Sequence, residues 1–82
     1  MVMYLNIGND MAVREKSIIG IFDLDNTSTS RRTREFLEKA EAEGQVVPCD
    51  DLPKAFLLTQ EYGMDRIYLT TLSSATLEKR MK

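Results

Sequence analysis

Apolar and polar residues alternate along Met3-Tyr4-Leu5-Asn6-Ile7 and the alternation stops at Gly8-Asn9-Asp10, which predicts a first strand and a turn. Met11 to Arg14 returns as a short strand. Ser17-Ile18-Ile19-Gly20-Ile21-Phe22 is β-branched and apolar, the strongest strand signal in the chain. Gly20 within it predicts a bulge or a close backbone approach. The polar run from Asp23 to Ser30 reads as a loop whose Thr and Ser residues offer helix N-caps. Arg31 to Glu43 then has helical period: Thr33, Phe36, Leu37 and Ala40 form one stripe at i, i+3, i+4 and i+7. On the other side Arg31/Glu35, Arg34/Glu38 and Glu35/Lys39 are spaced as i,i+4 charge pairs. Gly44 stands where a helix of this length ends.

Gln45-Val46-Val47 is a short strand stopped by Pro48. Lys54 to Gln60 and Arg66 to Leu72 are two more, joined through Glu61-Tyr62-Gly63-Met64-Asp65 as a hairpin. Ser73-Ser74 caps a final helix with Leu77 and Met81 on one face and Lys79, Arg80 and Lys82 in its last turn, where cations suit the helix dipole. The order β-β-β-α-β-β-β-α predicts an α+β fold, a small and mostly antiparallel sheet covered by two helices. Phe36, Leu37, Phe56, Leu58 and Leu69 are its expected core.

Composition bounds the rest. Eighty-two residues make one domain, 1–82, that buries only about 60–65% of its unfolded surface, so the core is small and oligomerisation is the remaining source of burial. The single cysteine, Cys49, allows no intrachain disulfide, and with no histidine the chain lacks metal-ligand spacings; no metal and no cofactor is expected. No stretch approaches the roughly 20 apolar residues of a membrane span. The first residues lack a signal-peptide pattern, and with the lone thiol this predicts a cytoplasmic protein without a membrane partner. The net charge of −2 means that any contact with nucleic acid must come from a local basic patch.

One motif invites an enzymatic reading. Ile18-Ile19-Gly20-Ile21-Phe22 running into Asp23-Leu24-Asp25-Asn26-Thr27 is similar to the D-x-D-x-T signature of haloacid-dehalogenase-type phosphatases. Two carboxylates at a strand end suit a hard cation such as Mg²⁺. That chemistry also requires a doubly wound parallel sheet carrying a later Ser/Thr, a Lys and a second acidic pair on separate strands. Asp50-Asp51 and Lys54 lie within one loop and strand start and cannot fill those places. Asp23 and Asp25 read instead as turn residues that bond their own backbone. An EF-hand fails too, because Ser28 and Arg34 occupy its glycine and glutamate positions. No catalytic residue and no small-molecule substrate is expected.

Met3-Tyr4-Leu5-Asn6-Ile7-Gly8, Ile18-Ile19-Gly20-Ile21-Phe22-Asp23, Thr33-Arg34-Glu35-Phe36-Leu37, Pro53-Lys54-Ala55-Phe56 and the ending Leu72-Ser73-Ser74-Ala75-Thr76-Leu77-Glu78-Lys79-Arg80 together resemble the RemA/RemB family of bacterial matrix-gene regulators, closer to its RemB branch. The resemblance spans nearly the whole chain. It implies a fold akin to the LytTR DNA-binding domain, assembly into closed homo-oligomeric rings, and DNA-binding regulation of biofilm matrix genes. Where the RemA side carries a run of arginines, this chain has the acidic Cys49-Asp50-Asp51-Leu52-Pro53; a further DNA-contact arginine of that side falls near Lys16-Ser17.

The basic residues therefore carry the functional expectation. Arg31, Arg32 and Arg34 open the first helix, where the dipole favours acids. A local rule broken without local gain points to function, and exposed N–H groups beside arginines suit phosphate. The alternative is that they pair with Asp23, Asp25, Glu35 and Glu38 and solvate a surface. Arg14 and Lys16 form a smaller pair around Glu15, and Lys54 completes the candidate phosphate contacts. The expected function is a DNA-binding transcriptional regulator of matrix genes acting as a homo-oligomer, with itself and double-stranded DNA as partners. The alternatives are an oligomeric interaction module that leaves DNA alone and, remotely, a metal-dependent phosphatase fragment.

Overall fold

A computed structural model describes residues 3–8, 10–24 and 31–81. Its elements are β1 (Tyr4–Asn6), β2 (Ala12–Arg14), a 3-10 turn (Glu15–Ser17), β3 (Ile18–Asp23), α1 (Arg31–Ala42), β4 (Val46–Val47), β5 (Ala55–Glu61), β6 (Met64–Thr70) and α2 (Ser74–Arg80). The α+β class and the element order are as expected. The strands do not form one sheet, however. β1 and β2 pair only with each other, and the other four form a sheet in the order β3-β5-β6-β4, antiparallel except that β4 joins β6 in parallel. The small hairpin lies on the face of the larger sheet, where Leu5, Ile7 and Val13 meet Ala55, Leu57 and Leu77.

β5 explains the layering. Ala55-Phe56-Leu57-Leu58 is apolar without alternation, as expected of a strand covered on both faces. Ala55 and Leu57 point into the cluster closed by β1, β2 and α2, and Phe56 and Leu58 into a second one with Ala40, Leu37, Ile67 and Leu69 under α1. The hairpin turn is tighter than the five-residue connection expected from sequence. Glu61 pairs with Met64, and Tyr62 (φ 54°) and Gly63 (φ 76°) both adopt positive φ, as a two-residue turn twisted with its strands requires.

Local signals end the helices where the sequence places them. The Gly44 N–H donates to the Glu41 carbonyl and the Gln45 N–H to the Ala40 carbonyl, while Gly44 has φ 74°: a Schellman closure for α1. The Ser73 hydroxyl accepts from the Thr76 N–H at 3.2 Å and caps α2. The N-cap candidates of α1 from Thr27 to Ser30, like Asp25 and Asn9, lie outside the described residues. The expected strand start at Ser17 is instead the end of the 3-10 turn, with the Ser17 hydroxyl donating to the Arg14 carbonyl at 2.7 Å.

The bulge expected at Gly20 is present. Ile18 pairs with Thr59 and Gly20 with the next residue, Leu58, so Ile19 is the extra residue of a bulge. A Cβ on Gly20 would also come within 3.0 Å of the Phe22 ring. The Asp23 that begins the phosphatase-like motif ends an edge strand paired antiparallel with β5. That is not the parallel doubly wound sheet the dehalogenase chemistry needs.

Candidate nucleic-acid interface and apolar groove

α1 crosses one face of the sheet from the β3 edge to the β4 edge. Its C-terminal half packs at Ala40 against Phe56 and Ile67, and its first turns stand beside Phe22 and Leu58. Arg31, Arg32 and Arg34 all lie in those first turns and are exposed, and the first turn contains no acid. Arg31 reaches Glu35 at 3.5 Å, the i,i+4 pair expected from the spacing, but both side chains remain mostly in solvent. Such a pair is worth about 0.3–0.5 kcal/mol and leaves the arginine available to another anion.

The other candidate cations are placed apart. Lys54 is exposed at the entry to β5; its carbonyl accepts from the Leu24 N–H at 2.7 Å and its own N–H donates to the Thr70 carbonyl at 2.8 Å. This fixes it at the Asp23 end of β3. Arg14 and Lys16 precede the Ile18 end of that strand, about 16 Å away at the rise of an extended chain. Arg14 is engaged: its guanidinium is held above its ordinary pKa first by a hydrogen bond to Tyr4 and then by the Glu61 carboxylate, 3.4 Å away. Arg31, Arg32 and Arg34 thus form one patch, Lys54 marks the end of β3, and Arg14 with Lys16 belongs to the opposite end of the sheet.

The aromatic residues depart from expectation. Phe56 is buried, but Phe36, expected in the core, is 43% exposed, and Phe22 is 45% exposed. The Phe22 and Phe56 rings stack at 4.9 Å and Phe36 tilts against Phe56 at 6.4 Å, so the outer rings shield the inner one and are themselves open. Phe22, Arg32, Thr33, Phe36, Phe56 and Leu58 line an open, mostly apolar groove of about 270 Å³. The exposure of a further apolar residue, Leu52, was not foreseen from the sequence. Leu52, between Asp51 and Pro53, is 83% exposed. Its loop is held locally: the Leu52 N–H donates to the Asp51 carboxylate at 2.7 Å and the Cys49 thiol to the Asp51 carbonyl at 3.0 Å. The signal in the sequence was a leucine between acids and proline in a segment without periodicity.

The chain has the sequence profile of the RemA-like family, described as extracellular matrix regulatory protein A-like, over residues 4–81. It is also 38% identical over 79 residues to the extracellular matrix regulatory protein B of Bacillus subtilis (strain 168), covering 95% of this chain and 89% of that protein. The chain belongs to the RemA-like family. Among the described residues, no group of three or more His, Cys, Asp or Glu is placed to hold a metal ion. No described helix is long and apolar enough to cross a membrane.

Proposed function

We propose that this RemA-like protein is a cytoplasmic transcriptional regulator of extracellular-matrix genes that binds double-stranded DNA as a homo-oligomer and has no catalytic activity. The observation that carries the reading is the cluster of three exposed arginines in the first turns of α1, without an acid to satisfy the helix dipole. The regulatory name of the B. subtilis relative agrees with it. A net charge of −2 gives a single copy little general attraction to DNA. Repetition of the patch around an oligomer multiplies the phosphates neutralised, and affinity grows with each counterion released. Arg31, Arg32, Arg34 and Lys54 serve as the DNA contacts at the β3 edge; Arg14 and Lys16 are the outlying pair, with Arg14 already hydrogen-bonded. The half-buried Cys49 thiol suits a reducing compartment.

Binding to a duplex fragment titrated with salt tests this. Arg31→Ala and Arg34→Ala should each lower the salt slope by about one and weaken binding alike for all sequences, because phosphate contacts position a protein without reading bases. Arg66→Ala, near the hairpin turn, should leave both unchanged. Wild-type protein that binds no DNA at low salt would reject the DNA reading. The acidic Asp50-Asp51 loop would then favour the second one, an oligomeric interaction module that does not touch DNA.

A further inference from the structure

We propose that the polar cleft between the β1–β2 hairpin and the turn end of β5–β6 binds a monosaccharide-sized polyol carrying one acidic group, its ring hydroxyls on the Arg14–Glu61 pair and its acid on Arg66. The site is independent of the DNA contacts at the β3 edge: Arg31, Arg32, Arg34 and Lys54 take no part in it.

The chain has three tyrosines, at positions 4, 62 and 68, and the fold brings all of them to Arg14. Tyr4 is its cross-strand neighbour in the small hairpin and hydrogen-bonds its guanidinium. The Tyr62 phenol is near enough to act on the same charge. Tyr68 lines a mainly polar hollow of about 150 Å³ with Tyr4, Arg14, Ser17 and Glu61. That is room for a guest the size of a six-membered ring. A smaller hollow of about 60 Å³ adjoins it through Glu61 and Tyr68 and is bounded by Thr59, Met64 and Arg66. Aromatic walls with a few convergent polar groups are what orient a small guest. Tyr62 adds a separate sign, because it keeps φ 54° and is 88% exposed beside the cleft. A bulky side chain held in that left-handed region carries strain of the kind that collects at ligand sites.

The charges decide the class of guest. Arg14 and Glu61 face each other at 3.4 Å, Nε against Oε2, and both side chains are partly exposed. A guanidinium has five N–H donors and a carboxylate two acceptor oxygens, so the pair still offers a donor beside an acceptor. Adjacent hydroxyls of a sugar ring each donate and accept, and they meet both groups without separating the pair. A free anion would have to displace Glu61 from Arg14 or lie against a like charge. Arg66 is different: it is exposed and forms no salt bridge among the described residues. It stands opposite Thr59, which precedes Glu61 by two residues on the same side of β5, about 7 Å along the strand. The Thr59 hydroxyl donates to the Arg66 carbonyl at 2.8 Å and fixes that backbone. An unpaired cation beside a closed ion pair leaves the cleft with an excess of positive charge that suits a single acid.

Amide-resolved NMR titration of the full chain tests the proposal, with glucuronate, glucose 6-phosphate, glucose and inorganic phosphate as probes. At least one of the two sugar acids should bind with a dissociation constant of about 1 mM and shift the amides of Arg14, Glu61, Arg66 and Tyr68. Their order of affinity tells a carboxylate from a phosphate as the preferred acid. Glucose and phosphate alone should each bind about tenfold more weakly, as the loss of a charge-assisted hydrogen bond predicts. Arg66→Ala should reduce the sugar acids to the level of glucose, and it should leave DNA binding unchanged, so the two readings fail separately. Glu61→Gln should weaken the sugar acid about tenfold, because the ring hydroxyls lose their charged acceptor. Both substituted side chains lie at the surface, and circular dichroism on each variant checks the fold. Tighter binding to Glu61→Gln would mean that the acid displaces the carboxylate from Arg14, and it overturns the assignment. Phosphate that binds as tightly as the sugar acids reduces the cleft to an anion site and overturns it too. So does the absence of any shift in wild type at about 20 mM sugar acid, well above the expected dissociation constant.

Discussion

On one face of the four-stranded sheet Ala55 and Leu57 are fully buried beneath β1, β2 and α2, whereas on the other Phe56 is shielded by one helix and two half-exposed phenylalanines. The same strand supplies both faces, so the strand sequence does not account for the difference. The cover does. A seven-residue helix and a hairpin of two three-residue strands, fixed by a capping serine and by Thr70, close their face. The twelve-residue α1 contributes no more buried side chains than α2, Ala40 against Leu77, because it meets the sheet mainly at its C-terminal end. Helix length is a poor guide to burial. The exposed end of α1 is also where the charges are least balanced, so the open face and the arginine patch coincide.

The largest test of this contrast is Leu57→Ala, which removes a fully buried side chain between close-packed layers. Chemical denaturation should show a loss of about 2–5 kcal/mol. A loss under about 1 kcal/mol would mean that the closed face can collapse onto the gap and is not rigid.

Thr70→Val probes the tie that holds the small hairpin on that face. The buried Thr70 hydroxyl donates to the Ile7 carbonyl at 2.6 Å and accepts from the Leu72 N–H at 3.0 Å. Valine keeps the shape but leaves both backbone groups unpaired, so about 1–3 kcal/mol should be lost by the same measurement. Amide exchange should rise in β1 and β2 before the rest of the sheet.

Gly44→Ala acts at the end of α1 that does pack. Its φ of 74° is open to glycine and strained for any side chain, although nothing stands within 4 Å of a Cβ there. The expected cost is about 1 kcal/mol, from backbone strain alone. Gly44→Asn should recover part of it, because asparagine tolerates the left-handed region, and thermal melts of the two variants give the comparison.

Phe36→Ala is expected to cost least, at or below about 1 kcal/mol, because the ring is 43% exposed and its tilted contact with Phe56 is peripheral. A loss near that of Leu57→Ala would show that the open face is a closed core after all.

Much of this protein was legible in its residues taken alone. The hairpin at Tyr62-Gly63, the stop at Gly44, the cap at Ser73 and the irregularity at Gly20 are each set by interactions within a few positions, so turn chemistry and period suffice to find them. The element order, and with it the α+β class, follows from those signals, and the family is carried by residues spread along the whole chain. Exposure is a different matter. Phe36 falls on the same helical stripe as Leu37 and Ala40, and only the tertiary structure decides that α1 meets the sheet at one end and leaves Phe36 at a rim. The division into two sheets was equally out of reach, since the apolar side of β1 and β2 can satisfy itself at a sheet's edge or on its face. So was the exposure of Leu52 and of the three arginines that open α1. Local structure is determined by near neighbours in sequence, whereas a surface is whatever distant segments fail to cover.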